Sequence, residues 1–369
     1  MPTLTRRRLL HGLAASAAAS ALPRPALAQV DDAVRAAMAG AALAFLGALP
    51  TDGRRRAVFS FADKERLNWH YVPRRREGVA FKDMPAAARA AAHELMKSSL
   101  STVGYGKAVN VIRLEEVLRR LETFGLLRDP DNYAFTVFGT PGPSAPWGWR
   151  VEGHHLSLNF TLVPGRPVAM TPAFMGANPA EVPSGPHQGL RALAAEQDLG
   201  RALVQSLGQA QRPRAIIAAQ SLGDIVTGPG RGESLAAPAG LALADMTGDQ
   251  RTQAIRLVEE YARNMRGELA EQELGRMREA GPTLIHFAWA GPVEPGKPHY
   301  YRLHGPTLLI EHDRTTPITS TPSGTTRGAT SGWIYSAPTT SAAIRITTRE
   351  PAQRPMGYDT GRPSHKELP

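Results

Sequence analysis

Residues able to do chemistry crowd into one stretch of this chain, Trp147-Gly148-Trp149-Arg150-Val151-Glu152-Gly153-His154-His155-Leu156-Ser157-Leu158-Asn159-Phe160. Two imidazoles inside an apolar, alternating segment cost desolvation unless they are hydrogen-bonded or bound to a metal, so the run is either a polar core network or one wall of a site. Read as a single strand, it puts Trp147, Trp149, Val151, Gly153, His155, Ser157 and Asn159 on one face. Arg150, Glu152, His154, Leu156, Leu158 and Phe160 then share the other. His155, on the polar face with tryptophans beside it, is the first choice for chemistry. His154, among apolar neighbours, reads equally well as a satisfied core histidine.

Two further clusters carry similar residue types. Tyr300-Tyr301-Arg302-Leu303-His304 and Leu308-Leu309-Ile310-Glu311-His312-Asp313 are short strand-like runs, and a hairpin would bring Arg302 or His304 to Glu311. An edge-strand ion pair is the plainer reading of that cluster. Trp69 and Tyr71, ahead of Arg74-Arg75-Arg76, would make an aromatic and cationic wall for an anionic or sugar-like ligand, against the blander reading of a solvated basic turn. Several signatures are missing: a G-x-S-x-G elbow, a P-loop, a dinucleotide-binding glycine turn and a His-Glu-x-x-His helix. Familiar hydrolase and NTPase classes and a nucleotide cofactor are therefore disfavoured. The chain has no cysteine, so disulfides and thiolate ligands are excluded and any metal would need His, Asp or Glu.

The elements that must position these residues are mixed. Helical patterns run from Gln29 to Leu49, Pro85 to Ser99, Lys107 to Leu127, Leu190 to Leu207 and Gln250 to Glu279. Strand patterns cover Ala57–Phe61, Asn68–Val72, Asn132–Gly139, Thr283–Ala290, His299–Leu303 and Thr307–Glu311. Residues 171–179 are too rich in Pro and Gly for regular structure on this reading. Helices grouped between strand groups imply an α+β fold, a mainly antiparallel sheet with packed helices in a single large domain. The sequence shows no internal repeat and no sustained heptad.

Charge is unevenly placed. Of the net +10, residues 1–28 contribute +4 and residues 314–369 another +4, leaving +2 on the body, so nucleic-acid binding is not expected. Thr5-Arg6-Arg7-Arg8-Leu9-Leu10, an Ala/Leu stretch to Leu22 and Pro25-Ala26-Leu27-Ala28 form a twin-arginine export signal with cleavage after Ala28. The apolar run is too short to be a stable membrane anchor, so the mature chain is expected in the periplasm or outside the cell. At the other end, residues 315–348 hold eleven Thr and five Ser, a composition that reads as flexible tail.

The chain resembles the DUF3500 family of bacterial and fungal proteins. The resemblance rests on Trp69-His70-Tyr71-Val72-Pro73 with the following basic turn and Gly78, Leu100-Ser101 with Gly104-Tyr105, Trp147-Gly148-Trp149 and Glu152-Gly153-His154-His155-Leu156-Ser157-Leu158-Asn159. It continues in Pro172-Ala173-Phe174-Met175-Gly176-Ala177, Phe287-Ala288-Trp289-Ala290-Gly291, Tyr300-Tyr301-Arg302 and Leu309-Ile310-Glu311, and covers about residues 30–313. It brings no established activity. It does imply a continuation like N-H-I-H-x-V-W-R-D-x-x-x-D-F-G-x-D-L-L after the last strand, which this chain lacks. An allowed codon choice for Pro317 to Tyr335, read from the third base of Pro317, gives NHIHTVWHDPRRDFGLDL. A frameshift between about Glu311 and Pro317 is the resulting hypothesis, making residues 314–369 an out-of-frame tail.

The expectation is thus an exported, metal-dependent enzyme of hydrolytic or oxidative type acting on a small molecule, impaired in this chain by loss of the H-x-H segment. His154, His155 and Glu311 would ligate a divalent transition metal, with Arg302 orienting an anionic group and Glu152 acting beside it. Trp69, Tyr71, Trp147, Trp149, Asn159 and Tyr301 would bind the ligand. The competing expectation is an extracytoplasmic small-molecule or carbohydrate-binding protein without catalysis. A third is a polar core network with no chemistry.

Overall fold

A computed structural model describes residues 24–122, 128–232 and 234–315, together with 331–336; for 24–31 and 331–336 the backbone alone is described. Most of the segment expected to be an export signal, the end of the helix expected to reach Leu127, and the tail apart from 331–336 lie outside the described residues.

The fold is α+β. Helices α1 (Arg24–Ala48), α2 (Thr51–Ala57), α3 (Ala86–Ser99) and α4 (Thr102–Leu121) interleave with strands β1 (Val58–Phe59) and β2 (Val79–Ala80) and precede β3 (Ala134–Phe138), β4 (Trp147–Gly153), β5 (Leu156–Leu162) and β6 (Ala173–Ala177). Then come α5 (Ala194–Ser206), α6 (Arg212–Ala215), β7 (Ile216–Ala218), β8 (Leu241–Ala242), α7 (Gly248–Ala262), α8 (Gly267–Ala280), β9 (His286–Ala290), β10 (His299–His304), β11 (Leu309–Arg314) and β12 (Ser331–Ser336). One twelve-stranded sheet runs β1-β3-β4-β5-β6-β12-β11-β10-β9-β7, with β2 on β3 and β8 on β9. All its pairings are antiparallel except β1 with β3 and β7 with β9.

This order is the same unit twice. Each half runs helix, helix, a strand parallel to the first meander strand, a short antiparallel strand, two helices, then a four-stranded meander. At one constant spacing along the chain, β3, β4 and β5 correspond to β9, β10 and β11, and Arg150 paired with Asn159 maps onto Arg302 paired with Glu311. Gly139 and Gly291 are mates at positive φ, +80 and +100; a Cβ there would sit 2.8 Å from the Pro146 carbonyl and 2.6 Å from that of Pro298. The halves meet twice at a pseudo-twofold. β6 pairs with β12, and on the helical side Leu100 bridges Met265, with Ser101 N donating to Asn264 O and Arg266 N to Ser99 O. The sequence conceals this repeat, because the identities that survive are scattered: the Ala-x-x-Asp-Met of residues 80–84 and 242–246, and single mates such as Phe135 with Phe287, Pro146 with Pro298, Gly153 with Gly305 and Leu156 with Leu308.

Helices cover one face of the sheet. Ser101 caps α4 by accepting from Gly104 N, and Ala108, Val111, Leu114 and Leu118 turn inward at helical spacing. Thr247 and Gln250 form a capping box that starts α7. The pattern expected as one helix from Gln250 to Glu279 breaks at Arg263–Arg266, where that stretch meets the equivalent turn of the other half. Against these helices pack Trp147, Trp149, Val151, Leu158, Phe160, Met175, Phe287, Tyr301 and Ile310 in one apolar core. The opposite face is crossed by two long connections, residues 60–78 and 219–240, one from each half.

Two other expectations are corrected. The segment 171–179 supplies β6 at the sheet's centre, since Ala173-Phe174-Met175 between its prolines is itself strand material. Asn68–Val72, expected as a strand, is irregular and belongs to the first connection. Within the Ser/Thr-rich tail, Ser331–Ser336 forms β12 between β6 and β11.

Candidate functional site

The Trp147–Phe160 run is two strands and not one. β4 ends at Gly153, His154 and His155 make a two-residue turn with His155 at φ +58, and β5 returns from Leu156. That turn reverses the face of everything after it. Ser157 and Asn159 pair across from Glu152 and Arg150 and lie with them on the connection-covered face, away from Trp147 and Trp149. The polar, tryptophan-flanked face of the sequence reading therefore does not form.

Register draws one row across the connection-covered face: Ala134, Glu152, Ser157, Phe174, Ile334, Glu311, Arg302 and Ala288. The next row holds Gly176, Gly332, Asp313 and Tyr300. His155 closes that row, accepting a 2.7 Å hydrogen bond from Gly176 N, with its ring atoms 3.1 Å from where a Gly176 Cβ would stand.

In the first half the charges satisfy one another. Arg150, with no exposed surface, holds the Glu65 carboxylate and carbonyl and reaches Glu152 Oε1 at 2.9 Å. Glu152 accepts from His70 N at 3.0 Å and faces Arg76 Nε at 3.9 Å, while Arg76 also donates to Gly153 O at 2.8 Å. Burial raises the Glu152 carboxyl against the pull of Arg150 and Arg76. Glu65, Asn68, Arg74, Arg75, Arg76, Glu77 and Glu152 line a cavity of about 60 Å³ here.

In the second half Glu311 is a staple. Its Oε1 accepts from Val226 N at 2.7 Å and Tyr300 Oη at 2.7 Å, and its Oε2 accepts from Thr227 N at 2.9 Å and from the Thr227 hydroxyl. Asp313 accepts from Ser221 Oγ at 3.0 Å, and burial pushes its carboxyl up to about 7, opposed by that hydrogen bond and reinforced by Asp224 and Glu311. Tyr71 joins the halves: its ring stacks on Phe174 at 3.9 Å and its hydroxyl donates to Asp224, 3.0 Å from each oxygen. Trp69, Phe174 and Ile225 make a small apolar cluster with Tyr71 packed on it. Arg231 reaches Asp224 at 3.2 Å, and burial followed by the Asp224 charge raises the Tyr71 hydroxyl.

The sequence-predicted residues separate accordingly. Trp69, Tyr71, Asn159, Glu152, Arg302 and Glu311 lie on the connection-covered face, as the row register and contacts above place them. Trp147, Trp149 and Tyr301 are in the helix-side core, Trp149 stacked on Phe160 at 4.4 Å and Tyr301 donating to Glu196 O at 2.7 Å. His154 turns to α4, where Glu115 contacts its Nδ1 and Arg128 lies 3.1 Å away; burial, then Arg128 and Arg76, hold the imidazole down to about 3. The same burial pushes Glu115 up to about 7. His155 stacks on His154 at 3.8 Å and is held well below its usual range by burial and then by His154.

A metal does not fit the residues described. No group of three or more His, Asp or Glu suited to an ion occurs among them, and both Glu311 oxygens are already taken by donors. Sequence reasoning named Asp313 within its strand-like run but missed Ser221 and Asp224, which meet it from a connection without pattern. A second cavity, about 600 Å³, lies at the far end of β5 beside α1, lined by Asp32, Ala36, Leu162, Pro164 and Gln272 among others. No helix among the described residues is long and apolar enough to cross a membrane.

No curated protein and no solved structure matches the chain. A family model described as a protein of unknown function, DUF3500, matches residues 31–326, which takes in both repeats from α1 to β11; the chain belongs to that family.

Proposed function

We propose that the protein is exported and binds a small polyhydroxylated, carbohydrate-like molecule where the two connections meet over the sheet. The observation that carries this reading is Tyr71. It lies flat on Phe174 from one half and hydrogen-bonds Asp224 from the other, with Trp69, Ser221 and Asp313 around it. Aromatic faces take the apolar face of a sugar ring, and carboxylates take its hydroxyl hydrogens. The β6–β12 pair supports the choice of place, since Gly176 opposite Gly332 leaves low relief between His155 and Asp313. Asp313, near 7, can also give or take a proton there.

Titration calorimetry with glucose, sucrose and cellobiose tests this reading. The full exported chain is expected to bind one of the three saturably, and Tyr71→Ala to weaken that binding about tenfold or more. Binding unchanged by Tyr71→Ala, or no heat from any of the three sugars, contradicts it.

A second reading, a His-ligated transition-metal enzyme, is favoured by the slot that β12 fills. A strand bearing H-x-H in that slot would stand between His155 and Asp313. Ser331–Ser336 carries no His, Asp or Glu, so this chain does not supply those ligands. Resequencing the locus, with metal analysis of a homologue that carries H-x-H, tests this reading; stoichiometric metal supports it and its absence rejects it.

A further inference from the structure

The repeat allows one polar position to be compared with itself. Arg150 and Arg302 are mates, as are Glu152 and His304. Each arginine lies beneath a strap that ends in a mated glycine. Gly78 (φ +91) would put a Cβ 2.4 Å from Phe135 O, and Gly240 (φ +97) would put one 2.2 Å from Phe287 O. The second strap is tied to Glu311 at Val226 and Thr227 and to β9 at Gly240, and the row between those ties is Glu311, Arg302, Ala288. It therefore crosses Arg302.

What the two arginines meet is different. Arg150 has Glu65 and Glu152, and the strap above it brings Arg74-Arg75-Arg76-Glu77 before Gly78. Arg302 is 5% exposed and has no carboxylate within 4.0 Å among the described residues; its described partner is the Tyr300 hydroxyl, and its Nε, like that of Arg150, has none. Glu311 stands cross-strand from it but gives both oxygens to other donors. His304, 4% exposed, leaves Nδ1 without a partner, and His286 pairs across from it. The strap positions before Gly240 are Ala236-Ala237-Pro238-Ala239. The second half has thus exchanged charged side chains for small ones and kept the guanidinium.

A buried guanidinium lacking a close counter-charge is costly, because its lost hydration is not replaced. Planar N–H forks match oxyanions, and a neutral imidazole adds a further donor. We infer that Arg302 and His304, under the strap before Gly240, form a subsite for the oxyanion of a small molecule, a carboxylate or a phosphate. This assignment is independent of the sugar reading, because it uses β9 and β10 and none of Tyr71, Asp224 or Trp69.

The test is thermal denaturation of the full exported chain with sodium phosphate or sodium acetate, at ionic strength matched by sodium chloride. Phosphate, acetate or both are expected to raise Tm saturably, and whichever acts names the group. Arg302→Gln should lose the shift. His304→Glu restores the carboxylate of the first half, and should raise the anion-free Tm and also lose the shift; it decides the matter if Arg302→Gln does not fold. A wild-type chain whose Tm responds to neither anion beyond chloride, or a shift kept by His304→Glu, overturns the assignment.

Discussion

At the scale of single residues, burial sets the protonation states, and pH is the lever that exposes them. Asp313 has a folded pKa, about 7, above its ordinary 3.8, so its ionised form is disfavoured by the fold. The penalty is absent below the ordinary value, grows as pH rises to about 7 and is complete above that. Asp313→Asn should therefore lie within about 0.6 kcal/mol of wild type at pH 4 and exceed it at pH 8 by on the order of 2 to 4 kcal/mol in urea denaturation. Equal differences at the two pH values would contradict this. His155 at φ +58 makes a second prediction: His155→Ala should be less stable than His155→Gly by about 1 kcal/mol, since a Cβ is what the left-handed region penalises. Equal stability of the two would remove turn strain from the account. The sequence made the histidine pair legible as a special place. It did not reveal that the pair is a turn, because Gly153 with a flanking apolar alternation fits a continuing strand as well.

At the scale of elements, the connections matter more than the strands beneath them. Glu311 accepts from four donors, three of them on the 219–240 connection, so it fixes that segment to β11. Glu311→Gln turns an amide hydrogen toward at least one donor and is expected to cost roughly 2 to 4 kcal/mol, read by urea denaturation. A cost below about 1 kcal/mol would mean that the connection is held by other contacts. Most helices and five of the strands were legible from periodicity and from Gly and Pro boundaries. β6 was not, because flanking prolines argue for a loop and only the neighbours β5 and β12 make its short apolar core a central strand.

At the scale of the whole molecule, the protein is a fused pair. The repeat escaped the sequence because its marks are positional: paired glycines at positive φ, and arginines at matching registers. The halves join in sequence through residues 178–193, where Gly185 and Pro186 are exposed. Fragments split between these two residues should co-purify and regain the far-ultraviolet spectrum of the intact chain, since the cut spares both meanders and the seam is broad. Fragments that stay apart would show that the seam forms only within one chain. The pairing also supports the place of the proposed site, since a seam between repeats brings two unlike connections over one sheet. Hydrogen exchange with and without a saturating amount of whichever of the three sugars binds tests that placement most directly. Protection gained at residues 68–72 and 221–227 is the expected result, whereas protection confined to the cavity beside α1, or to neither connection, would contradict it.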